Sequence, residues 1–308
     1  MANILVTGGA GFIGSHLVRA LLERGETVRV LDNFTTGRRE NLTGLRGRLE
    51  VQEGDLRDPR QVKEAIRDVE LVFHLAAFVS VPESMKDPET CFAVNAVGTV
   101  GLLEAARRAR VRKVVLASST AVYGNAEELP IVEETPLRPL SPYAVSKQVN
   151  ELYAHLYTRT LGLPAVALRF FNIYGPRQRP DSDYAAVIPI FLRRLLGGKP
   201  VTIFGDGKQT RDFIFIADVV QANLLAAESE AAGEAYNICT GREVNLLDLL
   251  ETLSEIVPGS PRVEFAPPRP GDIYRSVGNP EKAAATLGFR ARTSLADGLR
   301  ETVEWMKS

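Results

Sequence analysis

TGGAGFIG, residues Thr7 to Gly14, stands between an apolar run, Ile4–Thr7, and a helical pattern over Ile13–Arg24. It satisfies GxGxxG through Gly9, Gly11 and Gly14, and GxxGxxG through Gly8, Gly11 and Gly14. Glycines here permit positive φ in a turn and let backbone N–H groups approach a pyrophosphate with no Cβ in the way. They also bring helix and strand close together. The helix N-terminus then faces the anion. With a strand before it and a helix after it, the stretch reads as a dinucleotide-binding turn contacting its ligand through Gly8, Gly11, Phe12, Ile13 and Gly14.

Outward from that turn, short apolar runs at Val28–Leu31, Leu71–Leu75, Val114–Ala117 and Val166–Leu168 alternate with helical stretches at Pro59–Arg67, Thr90–Ala109 and Pro142–Thr160. The alternation predicts right-handed βαβ units and a doubly wound parallel α/β sheet of the Rossmann type, covered on both faces. After about Phe170 the chain becomes punctuated by Gly and Pro, as in Tyr174–Pro180, Gly197–Pro200 and Pro267–Gly271. The expected division is a dinucleotide-binding domain over 1–172 and 212–238 and a smaller, mostly C-terminal lobe over 173–211 and 239–308. Phe213–Ile216 and the helical pattern up to Glu228 return the chain towards the sheet. A terminal helix over Leu295–Met306 carries Trp305, read as a packing residue.

Composition narrows the function. In 308 residues, 37 Lys and Arg face 38 Asp and Glu, giving a formal charge of −1, so nothing suggests nucleic acid as the main partner. Hydrophobic residues at 45% and charged residues at 24% describe a folded globular chain. Two cysteines, Cys91 and Cys239, make no disulfide framework, and no His or Cys spacing suggests a metal. With no leader pattern before the first strand and no apolar run long enough to span a bilayer, the expectation is a cytoplasmic protein without a membrane partner.

Asp32 ends the second strand, 18 residues past Gly14, where a carboxylate can accept both hydrogen bonds of an adenosine ribose diol. A 2′-phosphate would meet like charge there, which favours NAD over NADP. Asp55, after the third strand, is placed either to accept from the adenine amino group or to cap a helix. Ser141-Pro142-Tyr143-Ala144-Val145-Ser146-Lys147 puts a tyrosine and a lysine at i and i+4 on a helix that Pro142 can open. A neighbouring ammonium is expected to lower the phenol pKa towards that of a usable base. Ser118–Gly124 leaves the fifth strand at the carboxyl edge, where such sheets bind ligands, and offers a hydroxyl to align a substrate alcohol.

Together these residues resemble the extended short-chain dehydrogenase/reductase family, and within it the nucleotide-sugar epimerase branch of UDP-glucose/UDP-galactose 4-epimerases. The resemblance spans nearly the whole chain. It is carried by Thr7–Gly14, Asp32, His74–Ala77, Asn95, Ser118–Gly124, Tyr143 with Lys147, Arg169–Arg177 and Arg211–Phe213. It implies that Ser119, Tyr143 and Lys147 form the catalytic group, with Ser119 and Tyr143 touching the sugar and Lys147 the nicotinamide ribose. It implies NAD held also by Asn33, Asp55, Leu56, Leu75, Ala76 and Ala77. A UDP-sugar diphosphate would be held by Asn172, Arg211 and Arg269, the arginines through directed, bidentate bonds. A homodimer through the two long helices is the implied assembly.

The resemblance also implies the reaction: oxidation of the sugar at C4, rotation of the keto sugar about its diphosphate link, and return of hydride to the opposite face. Dehydratase relatives carry Asp-Glu directly after the catalytic hydroxyl residue, where this chain has Thr120 and Ala121. That absence favours plain epimerisation. Ser276 falls where some glucose-restricted members carry a tyrosine, which predicts room for an N-acetylated sugar. The alternatives are a UDP-glucuronate 4-epimerase, another nucleotide-sugar short-chain dehydrogenase, or a redox-silent NAD-binding sensor or scaffold. Asn95 is read as a buried structural amide, His16, His74 and His155 as packing or surface residues, and Tyr123 as either a ligand contact or packing.

Overall fold

The computed structural model describes residues 3–179, 186–257, 262–268 and 273–308. The first half lays down β1 (Asn3–Thr7), α1 (Phe12–Glu23), β2 (Thr27–Asp32), β3 (Arg48–Glu53), α2 (Pro59–Ala65) and β4 (Leu71–His74). Then come α3 (Val81–Lys86), α4 (Pro88–Phe92), α5 (Gly98–Arg108), β5 (Lys113–Ser119), α6 (Pro142–Leu161) and β6 (Ala165–Phe170). With the later strand Ala235–Ile238 they build a seven-stranded sheet in which every pairing is parallel. From one edge the order is Ala235–Ile238, β6, β5, β4, β1, β2, β3.

Strand burial follows position. All residues of β4 and β6 are buried, as expected for interior parallel strands covered by helices on both faces. One apolar cluster joins α1, the helix Ile216–Glu228 and one sheet face, and a second joins α2, α5 and α6 to the other. Edge strand β3 has no buried residue and carries Arg48, Glu50 and Glu53, charges that discourage pairing with a further strand.

Two expectations are corrected. Thr90–Ala109 is not one regular α-helix, because a π-helical turn over Ala93–Val97 separates α4 from α5. The buried Asn95 side chain sits at that turn, accepting from Phe78 N at 2.7 Å and donating to Phe78 O and Ser146 Oγ, both at 3.0 Å. One extra residue in the turn admits these bonds. Phe213–Phe215 does not enter the main sheet; it pairs with Asn172–Tyr174, and Ala235–Ile238 joins the sheet instead. Trp305 lies on the helix Leu295–Lys307 and is 38% exposed, a partly solvated position.

Candidate active site

Strand order reverses around β1, which lies between β2 and β4, and Thr7 pairs with His74 at the carboxyl ends of β1 and β4. This is the crevice where sheets of this kind bind ligands. Leu75 N donates to Thr7 O at 3.1 Å and Ala76 N to Thr7 Oγ1 at 3.3 Å, laying Leu75 and Ala76 along the glycine turn. Gly8 has φ +70°, and a Cβ there would lie 2.6 Å from Ala76 N; at Gly14 it would lie 2.1 Å from Gly8 O. At Gly11 the nearest atom would be 3.2 Å away. Gly8 and Gly14 therefore close the turn on itself, whereas Gly11 presents its bare backbone outward. Helix α1 begins at Gly11 with no side-chain cap and no acidic residue in its first turn, so its N–H groups are available to an anion.

At the end of β2, Asp32 is buried, accepting from Ala10 N at 2.9 Å and Phe34 N at 2.8 Å. Those two bonds fix the carboxylate beside the glycine turn. Asn33 Nδ2 donates to Asp55 Oδ2 at 3.0 Å, and Arg57 binds both Asp55 oxygens at 2.9 and 2.7 Å. The Arg57 guanidinium holds the Asp55 carboxyl well below the usual carboxylate range. Asp58, not Asp55, caps α2. Leu56 is buried in the core. The open Gly11 cradle, the anchored Asp32 and the uncapped helix fit a dinucleotide diphosphate and ribose.

His74 is fully internal, bonded to Thr7 Oγ1 at 2.7 Å and Thr99 Oγ1 at 2.8 Å. Burial, assisted by the Lys147 charge, lowers its pKa to about 3, so it is a neutral packing residue. His16 is likewise lowered by burial, to about 4, with its Nε2 2.9 Å from Pro176 O.

Ser119 ends β5, and Tyr143 and Lys147 occupy the first turns of α6, which Ser141 caps through Ala144 N at 3.1 Å with Pro142 at the opening. The three come together: the Ser119 side chain acts on the Tyr143 phenol, favouring its ionised form, and Lys147 Nζ lies 5.7 Å from the tyrosine ring centroid. Lys147 is 4% exposed and donates to Ala117 O at 2.9 Å. The expectation of a lowered phenol pKa is corrected here. Burial pushes Tyr143 up, opposed chiefly by the Ser119 hydrogen bond, while burial brings Lys147 down to about 8. Ala121 N donates to Ser119 Oγ at 3.2 Å, leaving no acid or base directly after the serine.

Sequence reasoning missed the groups that aim Tyr143. Ser84, fully buried on α3, accepts from Tyr143 N at 3.2 Å. Cys91, also buried, sits on α4 with its Sγ 3.7 Å from Asn95 Nδ2. Tyr123 is not a ligand contact but a core residue, 1% exposed, donating to Asn237 Oδ1 at 2.7 Å. Nothing local in the sequence distinguishes such serines and tyrosines from surface ones.

Asn172 and Arg211 arrive by a different route. Asn172 N donates to Asp212 O at 3.0 Å, which sets Asn172 beside the Arg211-Asp212 pair. Buried Asp212 accepts from Thr240 N, Thr240 Oγ1, Gly241 N and Gly278 N at 2.9, 2.6, 2.9 and 3.3 Å. Thr210 N donates to Tyr274 O at 2.8 Å, so residues 274–278, including the buried Ser276, run alongside Arg211. Asp212 had no assigned role in the sequence, yet it is the clamp of this region. Arg269 lies outside the described residues. Among the described residues no group of three or more His, Cys, Asp or Glu could hold a metal, and no helix is long and apolar enough to cross a membrane.

A putative UDP-glucose 4-epimerase of Methanocaldococcus jannaschii is 41% identical over 308 residues, covering 99% of this chain and 98% of the relative. The solved UDP-glucose 4-epimerase of Thermus thermophilus in complex with NAD is 42% identical, with a TM-score of 0.90 and 99% of each chain covered. A UDP-N-acetylglucosamine 4-epimerase from Methanobrevibacter ruminantium in complex with UDP-N-acetylmuramic acid is 37% identical, with a TM-score of 0.96 and coverage of 99% and 98%. The model of the NAD dependent epimerase/dehydratase family matches residues 4–239, and this chain belongs to that family.

Proposed function

We propose that the protein is a UDP-hexose 4-epimerase that interconverts UDP-glucose and UDP-galactose and also accepts the N-acetylated pair. The observation that carries this reading is the gathering of Ser119, Tyr143 and Lys147 at the carboxyl end of β5, followed at Thr120 and Ala121 by side chains unable to do proton chemistry. Bound NAD⁺ supplies a hydride acceptor that is also the donor of the return step. Tyr143 takes the proton of the sugar 4-hydroxyl and gives it back, Ser119 aligns that hydroxyl, and Lys147 provides positive charge close to the phenolate. Asn172, Arg211 and Arg269 hold the diphosphate firmly, so that the weakly held keto sugar can turn over.

Ser276 supports tolerance of a 2-acetamido group, because a small side chain stands at this buried place in the segment alongside Arg211. The test is incubation with UDP-glucose, UDP-N-acetylglucosamine and UDP-glucuronate without added cofactor, with the isomers then separated. Conversion of the first two with no net NADH release is expected; conversion of UDP-glucuronate alone identifies the uronate epimerase instead. Turnover of UDP-glucose without the acetamido sugar rejects the role of Ser276. NAD retained with no turnover of any sugar marks the redox-silent reading.

A homodimer is part of the proposal. Phe92, Val97, Leu152 and Leu156 on α4, the π turn and α6 are 49%, 57%, 63% and 43% exposed, and a second copy would bury them. Light scattering should give twice the monomer mass, and Val97→Glu with Leu152→Glu should give a monomer.

A further inference from the structure

Beyond the residues that face the crevice, α6 carries one more polar group on the same stripe. Tyr143, Lys147 and Glu151 follow at i, i+4 and i+8, and Glu151 is buried. Its partner Arg169, on β6, is 5% exposed and grips both carboxylate oxygens, Nε to Oε1 at 2.9 Å and Nη2 to Oε2 at 2.7 Å. Ser118 Oγ also donates to Glu151 Oε1. Ser118 immediately precedes the Ser119 that meets the Tyr143 phenol. Arg169 is fixed in turn, donating to Tyr123 Oη at 2.7 Å and Glu133 O at 3.0 Å.

One carboxylate on the helix that bears the base thus binds the strand that bears the serine and the strand paired beside it. A buried ion pair is seldom the most stable way to fill such a site, since desolvation of both charges offsets most of their attraction. Well-packed apolar residues would hold the layers together as well, but they lack direction. A bidentate guanidinium–carboxylate pair fixes angle as well as distance.

We infer that the Glu151–Arg169 pair, with Ser118, is a positioning device that sets the azimuth and height of α6 against β5 and thereby holds the Tyr143 phenol at Ser119. Neither residue is among those proposed to touch the substrate. The inference rests on Tyr143 acting as the base. The charged and titratable groups facing this stripe and its partner are Cys91 on α4, His74 on β4 and Arg169 on β6, with Tyr123 and Glu133 against Arg169 and Glu134 and His155 lining the same cavity as Glu151; the Ser118 hydroxyl on β5 is the neutral donor among them. Glu151 opposes the burial that lowers the Lys147 pKa, yet it lies about 12 Å along the helix from Tyr143, too far to act directly on the phenol.

The experiment compares the parent with Glu151→Gln, Glu151→Asp and the paired apolar change Glu151→Leu/Arg169→Met, each as NAD-loaded protein. Glu151→Gln can fail to fold because it leaves a buried guanidinium unpaired; the double change removes both charges and keeps the test alive. The double variant should melt within a few degrees of the parent while kcat falls about 100-fold at little-changed KM, the scale expected for a displacement of about 1 Å. Glu151→Asp should recover part of that loss. A second readout needs no sugar: phenolate absorbance of Tyr143 against pH, referenced to the same chains carrying Tyr143→Phe, should shift upward in the double variant as the Ser119 bond is lost. A folded double variant with parental kcat and an unmoved phenol titration overturns the inference. If the parent turns over no UDP-sugar, the epimerase reading fails, and the titration alone decides the positioning role.

Discussion

The two halves of the site are built in opposite ways. Around β1, β4 and β5 each functional residue sits at a strand end or in the first turns of a helix, and its position follows from regular parallel pairing. Between residues 172 and 278, strands of two or three residues carry Asn172 and Arg211, and the side chain of Asp212 does the work that a ladder does elsewhere. The half carrying Ser119, Tyr143 and Lys147 is set on a regular sheet, and the half carrying Asn172 and Arg211 is tied by a few polar bonds; under the proposed function the first would hold the base and the second the nucleotide.

The largest effect should come from the rigid half. Tyr143→Phe removes the proton acceptor, and kcat should fall by about 10²–10⁴-fold or more with NAD content and melting temperature held. Steady-state kinetics and release of nucleotide on denaturation check both parts; unchanged turnover would refute the assigned base. Next is Gly14→Ala, whose Cβ would lie 2.1 Å from Gly8 O and 2.7 Å from Gly9 Cα. Backbone on both sides cannot yield cheaply, so the purified protein should lose its NAD and about 2–4 kcal/mol of stability. Gly11→Ala, with a closest approach of 3.2 Å, should fold nearly as well as the parent and still bind NAD poorly. Equal damage from both would erase the distinction between turn closure and ligand approach.

The polar-tied half is probed by Asp212→Asn. An amide NH₂ would be set against donors that now converge on the carboxylate, costing about 2–3 kcal/mol and raising KM for the UDP-sugar more than it lowers kcat. Denaturant titration and kinetics separate the two consequences. A fall in kcat with KM unchanged would mean that this region governs chemistry as well as grip.

The smallest effect concerns Lys147 and pH. Burial lowers its pKa from 10.5 to about 8, so between those values the unfolded chain holds a proton that the folded chain has released. Stability therefore carries a full penalty below about pH 8, which is relieved as pH rises towards 10.5. Lys147→Met should be inactive yet more stable at pH 7, by about 1–3 kcal/mol, with the advantage fading over that window. A melting difference independent of pH would remove Lys147 as its source.

Much of the first half was legible in residue order. The glycine turn, Asp32 and the Tyr143–Lys147 spacing are local patterns, because a strand end or one helical turn places their members without help from the rest of the chain. Thr90–Ala109 shows where local pattern fails. Its apolar periodicity reads through Asn95 as one helix, whereas the π turn exists to bond that amide to Phe78 and Ser146 from other elements.

By itself, the sequence determined the βαβ alternation, the glycine turn between strand and helix, and the i, i+4 spacing of Tyr143 and Lys147 on one helix face, since periodicities of two and 3.6 residues and the steric freedom of glycine are properties of short segments. Only the tertiary structure decided which strand completes the sheet, that Asp212 clamps the 240–241 and 278 segments, and that burial raises the Tyr143 phenol. Those outcomes depend on desolvation and on hydrogen bonds between residues tens of positions apart, and such quantities have no value until the chain has closed around them.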